Sequence, residues 1–238
     1  MSSAGRILII VTNVNQYEKV GFRTGLWLGE LTHFWDVGEE AGCAMTVASP
    51  KGGFVPIDPE SLSMAGMAEM FGLGGAVSDR YKDRAFMDRL NDTVAIADVS
   101  VDDFDAIYLT GGHGTMFDFR DPALARLVGA FYDAGKLVSG VCHGPVGLLD
   151  VTLADGSSLL AGRKVTGFSN KEESAASRDD AIPFSLEDEL TRRAGDYSRA
   201  MLPFASHVVE DGRLITGQNP SSAKGVAEAV VKQLRGEG

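Results

Sequence analysis

Short apolar, β-branched runs alternating with helix-length amphipathic segments predict an α/β protein: a doubly wound, mostly parallel sheet with helices on both faces. Three observations carry this. Residues 6–12 (RILIIVT), 105–110 (DAIYLT) and 136–141 (KLVSGV) are nearly continuous apolar runs, the pattern of strands covered on both faces. Segments with helical spacing separate them. Two of the runs lead straight into glycine-rich turns, GGHG at 111–114 and GVCHG at 140–144, and open parallel sheets bind ligands at the carboxyl ends of their strands.

In order along the chain, the first strand occupies residues 6–12. Residues 24–41 (TGLWLGELTHFWDVGEEA) follow with apolar side chains at 27, 31, 34 and 35, close to a helical repeat. Residues 44–48 (AMTVA) form the next strand. From about 49 to 91 the chain opens with Pro and Gly (SPKGGFVPIDP) and continues with two helix-like pieces, which predicts an insertion or lid after strand two. After the strand at 105–110, Asp121-Pro122 supplies an N-cap and an N1 proline for a helix reaching about 134. The strand at 136–141 feeds Cys142, with Pro145 where a new helix begins. A strand at 164–167, a helix at 186–193, a β pair at 206–216 turning on Asp211-Gly212, and a helix at 221–234 complete the order. There is no internal repeat or interdomain linker, so residues 1–238 are expected to form one domain.

Composition narrows the function classes. The chain has 238 residues, 44% of them apolar and 23% charged, ordinary globular values that leave little room for disorder. A formal charge of −11 disfavours a nucleic-acid partner, which needs clustered Lys and Arg. Two cysteines, Cys43 and Cys142, are too few for a disulfide framework. With no signal-peptide pattern at the N-terminus and no membrane-length apolar run, a cytoplasmic protein without a membrane partner is expected.

Gly140-Val-Cys-His-Gly144 has the layout of a nucleophile elbow with sulfur in the serine position. Glycines two residues to either side avoid collisions at the corner, and a helix starting behind it lowers the thiol pKa. Cys43 has none of these features and is expected to be inert. Backbone N–H groups of the 111–114 loop and of His143 are candidate oxyanion donors above Cys142. A phosphate loop is excluded by the missing G-K-[ST] ending. Glu30 has Leu26, Trp27, His33 and Phe34 as its helical neighbours, an apolar setting that raises a carboxyl pKa toward neutrality. Taken singly, His33, His113 and His207 read as structural. Cys142 and His143 are adjacent and lack zinc-ligand spacing, so no metal is expected.

GGHGTMFDF, GVCHGPVGLL, KVTGFSNKEE, PFSLEDEL and DGRLITGQNPSSA, with TGLWLGEL and SPKGG upstream, closely resemble the DJ-1/PfpI superfamily and its Hsp31-like, glutamine-amidotransferase-like branch. The resemblance spans nearly the whole chain. It implies a flavodoxin-like fold, a homodimer, and a cofactor-independent glyoxalase III activity converting methylglyoxal or a related 2-oxoaldehyde to a 2-hydroxy acid. Carried over, Cys142 is the nucleophile and His143 the histidine beside it. Glu173, with Glu172 as the adjacent alternative, orients that histidine, and Glu30 is the helix-one glutamate that approaches the cysteine. Gly112 and the His143 amide match the oxyanion donors, with Gly111 and His113 beside them as substrate-binding residues. Whether Glu30 or His143 is the principal base is left open. Rival readings are an oxidative-stress sensor or holdase chaperone, and an isonitrile hydratase, amidase or peptidase using the same elbow.

Overall fold

The computed structural model describes residues 4–70 and 75–237, without the side chains of 65–70. Strand β1 (Arg6–Ile10) leads into helix α1 (Leu28–Glu40) and strand β2 (Ala44–Ser49). Helices α2 (Pro59–Met70), α3 (Ala76–Lys82) and α4 (Arg84–Met87) follow, then the short strand β3 (Val94–Ala95) and strand β4 (Ala106–Leu109). Next come α5 (Thr115–Asp118), α6 (Pro122–Asp133) and β5 (Leu137–Val141). The last stretch holds β6 (Lys164–Val165), α7 (Asn170–Ala175), α8 (Leu186–Arg193), β7 (Asp196–Tyr197), β8 (Val208–Asp211), β9 (Leu214–Gly217) and α9 (Ala223–Leu234).

Seven strands form one sheet in the order β3-β2-β1-β4-β5-β9-β8, in which every neighbouring pair is parallel except β8 with β9. The predicted doubly wound, flavodoxin-like α/β architecture is the one observed. Ile7 to Ile10, Ala106 to Leu109 and Leu137 to Val141 are all buried, which is why their sequences show no polar alternation. The strand order reverses between β1 and β4, and at that switch point the carboxyl ends of the strands diverge to leave a crevice. No helix among the described residues is long and apolar enough to cross a membrane.

Several expected elements changed. Residues 164–167 do not extend the main sheet: β6 pairs with β7 in a separate two-stranded ribbon. The run stops there because the Thr166 N–H donates to Thr216 Oγ1 (2.9 Å) and the Phe168 N–H to Cys142 O (3.0 Å), so no strand can claim them. Behind Cys142 the expected helix is a five-residue 3-10 turn, Gly144–Leu148. Glycines 144 and 147 within five residues weaken an α-helix at that point. In the segment expected to be an insertion, α2 and α3 lie against α1, and residues 71–74 fall outside the described residues.

Candidate active site

Cys142 directly follows β5 with φ 57°, a left-handed conformation uncommon in a residue with a Cβ. Its N–H donates to Gly217 O at 2.9 Å and its carbonyl accepts from Phe168 N, so the strained corner is held from two sides. Gly144 permits the tight approach: a Cβ there would lie 2.2 Å from Leu109 O. Gly140 differs, since the nearest atom to a Cβ there is at 3.5 Å, an ordinary contact. Of the two flanking glycines, only Gly144 avoids a collision.

Helix α1 carries Glu30 in its first turn, directly against this corner. Its side chain is fully buried; Oε2 accepts the Gly111 N–H at 2.6 Å, and the carboxyl also interacts with the Cys142 thiol. Burial pushes Glu30 up to about 8, against the lowering by these two hydrogen bonds. Burial, reinforced by the Glu30 charge, pushes the Cys142 thiol up as well. This corrects the expected lowering of the thiol pKa, because a five-residue 3-10 turn has little dipole to set against complete desolvation. At neutral pH the resting pair is therefore a thiol beside a neutral carboxylic acid.

On the other side, His143 Nδ1 lies 3.3 Å from Cys142 Sγ and its Nε2 is 2.8 Å from Glu173 Oε2. The second oxygen of Glu173 meets His113 Nε2 at 2.6 Å, so one carboxylate bridges two imidazoles whose ring centroids are 4.3 Å apart. Burial alone would raise Glu173, but His143 and His113 outweigh it and hold the carboxyl well below its ordinary range. Burial, with His143 next to it, lowers His113. Of the two adjacent glutamates, Glu172 faces elsewhere. It accepts from Ser169 N and Oγ, Gln218 Nε2, Asn219 Nδ2 and Phe204 N, and with Ser169 it forms the capping box of α7. The S-x-x-E spelling of Ser169 to Glu172 was a readable signal for that helix.

The loop after β4 supplies the remaining parts. Gly112 sits at φ 100° with its N–H directed at the Cys142 sulfur, and a Cβ on it would strike Gly25 O at 2.2 Å. Gly111 is corrected as an oxyanion donor, because its N–H is taken by Glu30. His113 is likewise committed through Nε2 to Glu173, while its Nδ1 has no hydrogen-bond partner among the described residues. Cys142, His143, Gly112 and His113 line a cavity of about 640 Å³ together with Trp27, Met64, Val77, Phe168 and Phe204. Phe168 packs 4.4 Å from the His143 ring, a contact sequence reasoning missed because aromatic spacing gave no sign of it. His33 lines the same cavity, whereas His207 bonds to Ser198 away from it.

His113, His143 and Glu173 place one donor atom each within 4.8 Å of one another. Both Nε2 atoms are already spent on Glu173 oxygens, so a cation at this cluster would have to break two hydrogen bonds between buried groups. The donor set fits a proton-carrying cluster better than a metal centre.

A cysteine on a strained strand-to-turn corner at the switch point of an open sheet, between a buried carboxyl and a histidine–carboxylate pair, defines an α/β protein of the cysteine-elbow class. The DJ-1/PfpI family model matches residues 24–233, and the chain belongs to that family. It is 29% identical to the glutathione-independent glyoxalase hsp3101 of Schizosaccharomyces pombe over 98% of this chain and 97% of the relative. The fold superposes on the glyoxalase III crystal structure from Candida albicans with a TM-score of 0.85 and 26% identity, covering 96% of both chains. On Rapid Encystment Protein 24 kDa of Francisella tularensis the TM-score is 0.88 with 32% identity, covering 96% of this chain and 98% of that one.

Proposed function

We propose that the protein is a glutathione-independent glyoxalase of the glyoxalase III type, converting methylglyoxal or a related 2-oxoaldehyde to the 2-hydroxy acid. The observation that carries this is Cys142 held between Glu30 and the His143–Glu173 pair at the wall of a cavity. The relatives named as glyoxalases support it.

His143 Nδ1 takes the thiol proton as sulfur adds to the aldehyde carbon, giving a hemithioacetal. Gly112 and the His143 amide hold the oxygen. Removal of the carbon-bound proton gives an enediol, reprotonation at the neighbouring carbon gives a 2-hydroxyacyl thioester, and water releases the acid and restores the thiol. Glu30, neutral at pH 7, donates a hydrogen bond or a proton to substrate oxygen instead of accepting one. Every step is a proton transfer or an addition, and no redox partner enters.

The test is product formation from methylglyoxal by purified protein with no added cofactor, beside an isonitrile and a peptide substrate. Formation of 2-hydroxy acid is expected, with Cys142→Ala and Glu30→Gln each slower by at least about 100-fold. A fully active Cys142→Ala enzyme would overturn the mechanism, and turnover of the isonitrile or peptide alone would move the reading to a hydratase or peptidase.

A further inference from the structure

The reaction needs two proton acceptors, one for the thiol and one for carbon. Glu30 keeps its proton through neutral pH, and His143 Nδ1 faces the sulfur. Glu173 is ionised, so both histidines donate their Nε2–H to it, which in the neutral form of either ring leaves the lone pair on Nδ1. On His143 that lone pair serves the thiol. On His113 it belongs to a buried nitrogen with no partner among the described residues, on a residue that lines the same cavity as Cys142. Buried polar atoms are ordinarily paired, so an unpaired acceptor on a residue of the cavity lining is a place for a ligand hydrogen once substrate opens a way to it.

Resting on the glyoxalase reading above, we propose that His113 is the base that removes the carbon-bound proton of the Cys142 hemithioacetal. The C–H electron pair becomes the enediol double bond, and the proton passes to Nδ1. The former ketone oxygen takes a proton from Glu30, since His143 has already given its own to the alkoxide. His113 then returns its proton to the neighbouring carbon, while the hydroxyl on the sulfur-bearing carbon loses its own to the group that protonated the ketone oxygen. The sum is an internal isomerisation, with one proton moved from carbon to carbon and no net gain or loss of electrons.

Glu173 makes the two histidines alternate. A second positive ring 4.3 Å from the first is disfavoured, so His113 accepts a proton best after His143 has passed its own to the alkoxide. One carboxylate touching both rings stabilises whichever is charged. The arrangement lets a single buried anion serve two successive proton transfers.

His113→Gln tests this, because the Gln amide can still donate to Glu173 while lacking any acceptor at the Nδ1 position. With methylglyoxal, its kcat is expected to fall at least about 100-fold. Iodoacetamide labelling of Cys142 and formation of the one-substrate adduct, read by intact mass, are expected to stay at wild-type rates. Substrate deuterated at the aldehyde carbon is expected to show a larger kinetic isotope effect on the variant, as proton removal becomes limiting. His113→Asn, with circular dichroism on both variants, controls for folding. Turnover within about threefold of wild type would overturn the proposal, as would loss of adduct formation together with turnover, since that pattern belongs to a structural residue. If the wild-type enzyme makes adduct but no 2-hydroxy acid, the glyoxalase reading fails and this role fails with it; an active wild type with an equally active His113→Gln refutes His113 alone.

Discussion

Glu30 and Glu173 show how the same side chain is set to opposite protonation states about one cysteine. Glu30 is raised by burial among Leu26, Trp27 and Phe34 neighbours, and Glu173 is lowered by two histidines. The pH consequences have opposite sign. Because Glu30 in the folded state titrates at about 8 against 4.5 in the ordinary range, the folded protein binds more protons than the unfolded chain between those values, and stability falls as pH rises through that window. Glu30→Gln should flatten the slope, by up to about 1.4 kcal/mol per pH unit, in denaturant midpoints measured from pH 5 to 8. Asp118, buried and raised to about 6, acts in the same direction at the acid end, which is why the variant comparison isolates Glu30. Glu173 works the other way: its contribution is present above 4.5 and is lost as pH falls through its folded value. Glu173→Gln should leave Cys142 labelling measurable but lower turnover by about 10²- to 10⁴-fold, because the amide no longer fixes both rings with Nδ1 bare. Glu172→Gln, in contrast, should act on stability, since five donors converge on that carboxylate and one of them is the backbone of Phe204. Sequence reasoning named both glutamates and could not separate them, because adjacent residues on a helix point about 100° apart and only the packing of α7 decides which faces the histidines.

At the scale of elements, the long buried strands and the Asp121-Pro122 start of α6 were legible because apolar runs and capping chemistry are local. The failures were equally physical. Residues 164–167 have strand composition, but a side chain from β9 captures their backbone, an event with no local signature. The turn behind Cys142 was over-read as a helix because Pro145 suggests a start while Gly144 and Gly147 remove the propensity to continue. Its glycines give a discriminating pair. Gly140→Ala should fold and retain activity, since its Cβ has room, whereas Gly144→Ala drives a Cβ into Leu109 O and should cost at least about 3 kcal/mol in urea unfolding. Equal effects of the two would mean the corner is not held as described.

For the whole molecule, the site is assembled from α1, the loops after β4 and β5, and α7, positions more than a hundred residues apart brought together by the β1–β4 switch point. In a Cys43→Ser background, the rise in Cys142 alkylation rate above that of the folded protein in rising urea is therefore expected to follow the global unfolding transition monitored by circular dichroism; a rise well below that midpoint would show that the corner opens independently. Gly111 carries the last consequence. A Cβ on it would sit 2.5 Å from Glu30 Oε2 and 2.8 Å from Cys142 Cβ, so only a bare peptide unit fits beside the meeting point of acid and nucleophile. The missing side chain is thus a working part of the site, because any Cβ at this position must push the acid or the nucleophile aside.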